Sequence, residues 1–459
     1  MRWLASDLAS IVGGDLFADA DIEVHGVSTD SRTVAPGDLF VAIVGEQFDG
    51  ADFAAGAVAA GAALVLSQRR VPQPCIVVHD AVSALGAIAR AHLQRLPDVT
   101  VVAITGSSGK TSTKDLVAQV LETAGSTVAP VGSFNNEVGL PRTVLQADEG
   151  TRFLVLEMGM RGGGQIARLC RIAPPDVSVV LNIGSAHAGI IGTRDDTAIG
   201  KGEIISALHA DGTAIINRDD GFAGYFASLA PGAIVEFGFD EGFVHAADIR
   251  LDEMARAAFR LHIGDERAPV RLQLLGEHHV ANALAAAAIG HACGLEVAAI
   301  AGALTTATAR SHWRMEPIEL ANGVTLINDA YNANPESMRS ALRALAMIGR
   351  NRRTWAVLGE MRELGDESMA EHDAIGRLVV RLDISHLVAI GPAGKIMQIA
   401  ATNEGSWGDE STYVPDVEAA VAHVVSHWQP GDVVLVKASQ SIHLERVAAA
   451  LRAAGSRQD

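Results

Sequence analysis

The sequence contains few cysteines and few lysines, and it has no long apolar run. Its three cysteines, Cys75, Cys170 and Cys293, are odd in number and far apart, which excludes a disulfide framework and a CxxC metal or redox motif. A reducing compartment fits this usage, so we expect a cytoplasmic protein. No segment reaches the roughly 18 apolar residues of a membrane span. The N-terminus is typical of an amphipathic helix and not of a signal peptide.

The charge balance excludes one class of partner. The chain has 36 basic and 54 acidic residues, for a net charge of −18. Such a field opposes binding to nucleic acid or to an anionic membrane, and any anionic substrate must be held by a local cluster. With 459 residues, of which 49% are hydrophobic, the chain is long enough for two to four well-buried domains.

Lysine is rare because the chain otherwise uses arginine as its cation. Where arginine is the default, a retained lysine is expected to need its compact amine, whose pKa shifts readily on burial. The alternative for any single lysine is chance survival at the surface. The five lysines are Lys110, Lys114, Lys201, Lys395 and Lys437.

Strand-like and helical segments alternate along most of the chain, which predicts an α/β protein with parallel sheets covered by helices. Residues 1–80 have the texture of a small α/β domain. Residues 81–311 show the alternation in VTVVAIT, FLVLEM, VSVVLNI and TAIIN, and residues 312–459 repeat it in TLIND, TWAVLG, HLVAIG and DVVLVKAS. The Ala-rich stretch 280–289 predicts a buried helix. We therefore expect three domains with these boundaries.

The segment VVAITGSSGKTSTKD has the order of a phosphate-binding loop: an apolar strand, a glycine turn, Lys-Thr-Ser and a helix. Gly106 and Gly109 let backbone amides turn toward a phosphate, Lys110 reaches the terminal phosphates, and the Thr111 hydroxyl suits their magnesium ion. Ile104 stands where the longer GxxxxGK[ST] pattern has its first glycine. The alternative is a glycine turn with an incidental lysine. The other residues of the predicted ATP loop are Ser107, Ser108 and Ser112.

Two further polar residues follow predicted strands of the same sheet. Glu157 ends FLVLEM, and His187 follows VSVVLNI. Parallel strands bring both to the carboxyl edge beside the phosphate loop, where open α/β sheets bind ligands. A carboxylate there suits Mg²⁺. The alternatives are a helix-capping glutamate and a loop histidine with a structural hydrogen bond.

From the loop TGSSGKTS onward the chain resembles the Mur ligase family, which includes the folylpolyglutamate synthetases, and the resemblance covers nearly the whole sequence. It implies a central P-loop ATPase domain, a C-terminal Rossmann-like domain and a small N-terminal domain that binds a UDP-sugar. It also implies an ATP-dependent ligase that phosphorylates a carboxylate, lets an amine attack the acyl phosphate, and releases an amide, ADP and phosphate.

The resemblance assigns residues to the nucleotide and metal sites. Lys201, in AIGKGEII, matches a lysine that CO₂ carbamylates in the family. The resemblance implies that this carbamate, Thr111, Glu157 and His187 bind two magnesium ions. The alternative for Lys201 is an exposed helix lysine beside Glu203. Three more residues match family contacts. Asn282 matches a contact to the adenine, Arg314 one to the γ-phosphate and Asp329 one to the ribose. The alternative for Asn282 is a cap of a buried helix.

Other motifs resemble the family members that add D-alanyl-D-alanine. NDAYNANPESM and VLGEMRELG have this form, and the motifs expected of the diaminopimelate- or lysine-adding members are not found in the sequence. STDSR resembles the uridine-nucleotide site, although alone it predicts only a polar turn. The implied substrate-binding residues are Thr29, Ser31, Arg32, Asn135, Asn136, Tyr331, Asn332, Asn334, Lys437 and Ser439. The chain departs from the family pattern at Asn328, Ala330, Ala438 and Gln440.

The resulting expectation is a monomeric peptidoglycan-precursor enzyme that joins D-alanyl-D-alanine to UDP-N-acetylmuramoyl-tripeptide, whose third residue the sequence leaves open. Another amide ligase of the same family, such as a folylpolyglutamate synthetase or an amino-acid-adding enzyme, is the nearest alternative. A P-loop regulatory ATPase is an alternative from a different class. It would hydrolyse ATP without consuming an amine.

Overall fold

The computed structural model describes residues 2–184 and 188–456, and its first part is a small α/β unit. Its strands form a five-stranded sheet of order β2-β7-β6-β5-β4 and a small antiparallel pair, β1 with β3. The strands are β1 (Trp3–Leu4), β2 (Asp15–Phe17), β3 (Glu23–Val24), β4 (Gly26–Ser28), β5 (Asp38–Val41), β6 (Leu64–Ser67) and β7 (Cys75–Val77), and the helices are α1 (Ala5–Val12) and α2 (Ala54–Ala59). Helix α3 (Ala81–Gln94) follows this unit and packs against α1 and against two helices of the middle part.

The middle part is built on a nine-stranded sheet of order β16-β15-β14-β13-β12-β11-β8-β10-β9. Its strands are β8 (Thr100–Thr105), β9 (Thr127–Val128), β10 (Phe153–Glu157), β11 (Val177–Val180), β12 (Thr213–Asn217), β13 (Ala233–Gly238), β14 (Val244–Leu251), β15 (Arg256–Ile263) and β16 (Glu266–Leu275). Its helices are α4 (Lys110–Glu122), α5 (Gly139–Val144), α6 (Gln165–Ile172), α7 (Ala188–Ile191), α8 (Arg194–Ser206), α9 (Ala223–Leu229), α10 (His279–Ala292) and α11 (Val297–Thr306).

The last part has a six-stranded sheet of order β17-β18-β22-β19-β20-β21, in which only β17 runs antiparallel to its neighbour. Its strands are β17 (Glu316–Glu319), β18 (Thr325–Asn328), β19 (Thr354–Leu358), β20 (His386–Ile390), β21 (Ser411–Val414) and β22 (Val433–Lys437). Its helices are α12 (Pro335–Ile348), α13 (Ser368–Arg381), α14 (Gly394–Glu404), α15 (Val417–His427) and α16 (Glu445–Gly455).

The predicted α/β architecture with parallel sheets is confirmed, and each strand named from the sequence forms. The central strands are buried on both faces, as the apolar runs of β8 and β10 predict. The Ala-rich stretch forms the buried helix α10, which packs against α4. Gly290 allows this close approach, since a Cβ there would lie 2.9 Å from Val120 Cγ1.

The sequence analysis missed the antiparallel extension of the middle sheet. Strands β14, β15 and β16 pair antiparallel beyond the parallel part. A two-residue Gly264–Asp265 connection joins β15 to β16 between alternating patterns, which is a hairpin signal that was available in the sequence. Within residues 2–184 and 188–456, no helix is both long and apolar enough to cross a bilayer.

Two helical glycines offer a matched test of the packing in the last part. A Cβ on Gly376 in α13 would lie 2.1 Å from the Met397 carbonyl oxygen in α14, whereas nothing lies within 4 Å of a Cβ on Gly302 in α11. We expect Gly376→Ala to lower the free energy of unfolding by about 1–3 kcal/mol because the helices must separate. Gly302→Ala should raise it by about 0.5–1 kcal/mol. Thermal unfolding midpoints of both variants check this, and an unchanged midpoint for Gly376→Ala contradicts it.

Candidate active site

The phosphate loop lies between β8 and α4, and its backbone conformation requires a glycine at position 109. Gly109 is the residue before the helix and has a φ of +80°. A Cβ at this position would lie 2.6 Å from Asn282 Oδ1. The Lys110 amine donates to the Gly106 carbonyl at 2.8 Å, so it curls over the loop. The first-turn N–H groups of a helix have no intrahelical partner, so the N-terminus of α4 offers free backbone donors next to the Lys110 amine.

A residue after β11 braces this loop, and the sequence analysis did not select it. The Ser107 amide donates to the Asn182 carbonyl at 3.0 Å, and the Ser108 amide donates to Asn182 Oδ1 at 2.9 Å. The Gly184 amide in turn donates to the Ser107 hydroxyl at 2.9 Å. Asn182 thus fixes the first half of the loop from a neighbouring strand end.

Glu157 is the centre of a buried hydrogen-bond cluster. It is 1% exposed, and it accepts from the hydroxyls of Thr111 and Ser133 and from the Asn135 amide, each at 2.7 Å. Burial alone would raise the pKa of Glu157, but the charge of Lys110 and that of Arg314, with the two hydroxyls, hold its pKa below the ordinary value. The carboxylate is therefore ionised beside the phosphate loop.

Arg314 reaches this cluster from the last part of the chain. Its guanidinium donates to the Thr111 hydroxyl at 2.8 Å and lies 4.1 Å from the centre of the Tyr331 ring. The Asn334 amide reaches the Ser107 carbonyl at 3.4 Å while its oxygen caps α12. The loop after β18 therefore contacts the phosphate loop, and the residues of the site come from the nine-stranded and the six-stranded sheets.

Lys201 lies inside α8 and is 2% exposed, so the interpretation as an exposed helix lysine was wrong. It lines the same cleft as Lys110 and Glu157. Burial, with the nearby charge of Lys110, holds the pKa of the Lys201 amine well below its usual value. This shift favours the uncharged amine, which is the form that reacts with electrophiles. His187, its predicted companion, lies outside the described residues.

A second buried cation supports the loop after β18. The Lys437 amine pairs with Asp329 at 2.6 Å and donates to the Asn332 carbonyl at 2.9 Å. The Ser439 hydroxyl contacts the Ala333 carbonyl at 3.3 Å and accepts from the Arg362 amide at 2.9 Å. These two groups therefore shape the backbone of the loop that carries Tyr331 and Asn334.

A cleft of about 960 Å³ connects these groups. The residues predicted from the sequence that line it are Ser107, Ser108, Gly109, Lys110, Thr111, Ser112, Asn135, Asn136, Glu157, Lys201, Asn282, Arg314, Asp329, Tyr331, Asn332, Asn334 and Lys437. Gly106 and Ser439 lie behind the lining. Thr29, Ser31 and Arg32 lie in the turn after β4, outside the lining, where Arg32 forms a fork with the Asp30 carboxylate.

The lining of the cleft also includes residues that the sequence analysis did not select. One is His278, where burial lowers the pKa to about 4, so it is a neutral ring at pH 7. It precedes α10 directly, next to His279, and this pair of histidines was the available signal in the sequence. The apolar or aromatic residues of the lining that were not selected include Phe239, Leu251, Ala255, Ala344 and Met347.

The four positions that depart from the family pattern lie in or after β18 and after β22. The Asn328 side chain accepts from the Ala330 amide at 3.3 Å, which closes a local turn. Ala438 is fully buried, and its methyl group lies 2.7 Å from where a Cβ on Gly359 would be, so Gly359 accommodates it. Gln440 is exposed on the cleft wall.

Comparison with known proteins gives matches along the chain. Residues 23–106 match the model of the Mur ligase family catalytic domain, residues 104–290 that of the Mur ligase middle domain, and residues 313–440 that of the Mur ligase glutamate ligase domain. The chain is 46% identical to the UDP-N-acetylmuramoyl-tripeptide–D-alanyl-D-alanine ligase of Mycobacterium tuberculosis strain H37Rv, with 97% of each chain covered.

Solved structures agree with these matches. The fold is similar to a crystal structure of MurF from Acinetobacter baumannii, with a TM-score of 0.90, 32% identity and 99% of each chain covered. It is also similar to MurF ligase from Thermotoga maritima in complex with ADP, with a TM-score of 0.82 and 29% identity over 94% of this chain and 98% of that one.

The strained position of Gly109 generates a prediction about nucleotide affinity. We expect Gly109→Ala to weaken ADP binding at least about tenfold, since an L-residue at this φ costs roughly 1–2 kcal/mol and its Cβ collides with Asn282. Isothermal titration calorimetry measures this. Gly162→Ala is the control, because nothing lies within 4 Å of a Cβ there. Equal affinities for the two variants contradict the proposed loop geometry.

Proposed function

The chain belongs to the Mur ligase family, and from this premise we propose that it is the ATP-dependent ligase joining D-alanyl-D-alanine to UDP-N-acetylmuramoyl-tripeptide. The observation that carries the proposal is the 2.8 Å contact between Arg314 and Thr111, which joins the phosphate loop to the segment bearing Tyr331 and Asn334. The residues that we assign to the nucleotide and those that we assign to the acceptor line one cleft. The 46% identity to a ligase of this name supports the choice of substrates.

The phosphate loop accounts for the first half of the reaction. In this proposal the loop amides from Gly106 to Ser112 hold the ATP phosphates, and Lys110 and Arg314 balance charge on the γ-phosphoryl group. The terminal carboxylate of the tripeptide attacks the γ-phosphorus, and ADP leaves with the bond's electron pair. We assign Asn282 and the apolar residues of the lining to the adenine, and Asp329 to the ribose.

The loop after β18 accounts for the second half. The dipeptide amine attacks the acyl carbon, a tetrahedral intermediate forms, and phosphate leaves as the nitrogen loses its proton. We assign Tyr331, Asn332 and Asn334 to the dipeptide, with Lys437 and Ser439 holding the backbone of their loop. Docking of this loop on the phosphate loop excludes water, which protects the acyl phosphate from hydrolysis.

The residues around Glu157 fit a magnesium site. In the described part of the chain no group of three His, Cys, Asp or Glu side chains could hold a metal ion by itself. Mg²⁺ takes one or two carboxylates and completes its shell with phosphate and water, so the Glu157 carboxylate beside the Thr111 hydroxyl suits it. Thr111, Glu157, His187 and a carbamate on Lys201 are the proposed ligands for two ions. When bound, magnesium neutralises charge on the transferring phosphoryl group.

The remaining assignments concern the rest of the molecule. We propose that Thr29, Ser31 and Arg32 contact the UDP-sugar, and that Asn135 and Asn136 line its path to the cleft. The five-, nine- and six-stranded sheets support a division into domains at residues 1–80, 81–311 and 312–459. We further propose that the enzyme acts as a monomer in the cytoplasm.

Product formation tests the function directly. Incubation with UDP-N-acetylmuramoyl-tripeptide, D-alanyl-D-alanine and Mg-ATP should give the pentapeptide product by mass spectrometry, with one ADP released per amide. We expect Lys110→Ala to lower kcat by at least about 100-fold, in the range of losses when a transition-state charge partner is removed. The exposed lysine variant Lys395→Met should match the wild type.

Two results would contradict this proposal. Release of ADP at the same rate with and without the dipeptide would indicate a P-loop regulatory ATPase. Consumption of a free amino acid or glutamate in place of the dipeptide would instead indicate another amide ligase of the family. Parallel assays with each amine separate these outcomes.

The Lys201 carbamate has its own test. With ¹³C-bicarbonate, NMR should detect a carbamate carbon in the wild type and in Lys395→Met but not in Lys201→Arg, because a guanidinium stays protonated. We expect Lys201→Arg to lower kcat by about tenfold to 100-fold. A carbamate signal that persists in Lys201→Arg, or an active wild type without one, would exclude this role.

A further inference from the structure

Helix α4 carries a buried ion pair one turn beyond the residues that face the phosphates. Lys114 and Asp115 are 2% and 7% exposed at their side chains, and the Lys114 amine lies 2.5 Å from Asp115 Oδ1. Neither residue lines the cleft. The reaction proposed above therefore does not use them directly, although they are four and five residues from Lys110.

The pair holds two segments that supply the site. The Lys114 amine donates to the Pro130 carbonyl at 2.6 Å, in the loop whose Ser133 and Asn135 hold Glu157. Asp115 Oδ2 accepts from the Ser311 amide at 2.9 Å, in the linker between α11 and β17. Arg314 lies in the same linker, three residues later.

The same face of α4 binds the linker at two more points. Gln119 exchanges two hydrogen bonds with the Thr308 backbone, at 2.9 Å from its amide and 3.0 Å to its oxygen. Glu122 forms a fork with Arg310, with N–O distances of 2.5 and 2.6 Å. Because positions i, i+4 and i+7 share a helix face, Asp115, Gln119 and Glu122 form one strip along the linker.

A buried pair is a poor device for stability alone. The cost of taking two charges out of water commonly equals or exceeds their attraction, and apolar pairs of similar size are often as stable. The pair instead positions two backbone segments, since each partner has a second hydrogen bond to a specific backbone group. The amine also ends within 2.6 Å of both acceptors, a space that a planar guanidinium does not match.

We propose that Lys114 and Asp115 are positioning residues: they fix the linker and the 129–136 loop on α4, so that Arg314 and Glu157 converge on Thr111. The helix that holds the phosphates then also anchors the linker that leads to the last part of the molecule. This inference rests on the proposed phosphoryl transfer. It adds residues to that reaction that do not touch its substrates.

A double-mutant cycle on ADP formation tests the inference, with a radiolabelled assay to measure low rates. We expect Asp115→Asn to lower kcat by roughly tenfold to 100-fold, the range of strong couplings between linked sites, while KM for the UDP-sugar substrate changes less than about twofold. If Asp115 acts through Arg314, adding Asp115→Asn to Arg314→Ala should lower kcat by less than about threefold. A residue that only supported folding would give multiplied effects.

A second variant keeps the test valid if Asp115→Asn does not fold. Gln119→Ala removes both bonds to Thr308 at a partly exposed position, and we expect a smaller loss of kcat that also disappears in the Arg314→Ala background. Lys395→Met is the control lysine and should leave kcat and KM unchanged. Circular dichroism and unfolding midpoints identify the folded variants.

The outcomes are separable from those of the proposed function. Product formation by the wild type establishes the ligase reaction before the cycle begins. Losses that multiply in the double variants, or full kcat in folded Asp115→Asn, would then overturn the positioning role while leaving the reaction intact. Losses that do not multiply, with an unchanged KM for the UDP-sugar substrate, support it.

Discussion

The Thr111 hydroxyl is the point on which the site depends. It donates to Glu157 and accepts from Arg314, at 2.7 and 2.8 Å, so one small group connects a carboxylate on the middle sheet to a cation from the last part of the chain. Neither charge could be buried alone without a large cost. Arg314 compensates the Glu157 carboxylate together with Lys110, and Glu157 compensates both cations. Assembly of the site and docking of the last part of the chain are therefore the same event, which suits chemistry whose intermediate water would destroy.

The parts of this arrangement that could be predicted from the sequence are those encoded locally. A strand, two glycines, a lysine and a hydroxyl follow each other within 12 residues from Thr100 to Thr111, and parallel topology then put Glu157 at the same edge. Ser133 and Asn182 were missed because their role exists only through contacts 24 and 74 residues away in sequence. The antiparallel β14 to β16 region was missed for another reason: its two-residue hairpin signal was present, but the expected βα rhythm outweighed it.

The burial of Lys201 shows where sequence patterns fail. Helix α8 has polar residues throughout and little amphipathic character, so nothing in RDDTAIGKGEIIS indicated that the lysine faces inward. The composition of the whole chain was the better indicator. Lys114, Lys201 and Lys437 are buried and Lys110 is partly buried, whereas Lys395 is exposed. Arginine serves the surface, and lysine is kept where a small amine must fit between fixed oxygens or lose its proton.

The buried lysines differ in whether a carboxylate lies beside the amine. Lys114 and Lys437 each have a carboxylate within 2.6 Å, at Asp115 and Asp329, and each also donates to a backbone carbonyl. Lys201 has no such neighbour among the described residues, and both its burial and the charge of Lys110 oppose protonation and lower its pKa. The same side chain therefore performs two kinds of work in one molecule. An amine paired with a carboxylate fixes the backbone carbonyls of a loop, whereas the Lys201 amine is buried with a lowered pKa, as the proposed carbamate requires. An arginine cannot lose its proton in a protein, and at Lys114 its planar guanidinium does not match the space between the Asp115 and Pro130 oxygens, so lysine is retained at both kinds of position.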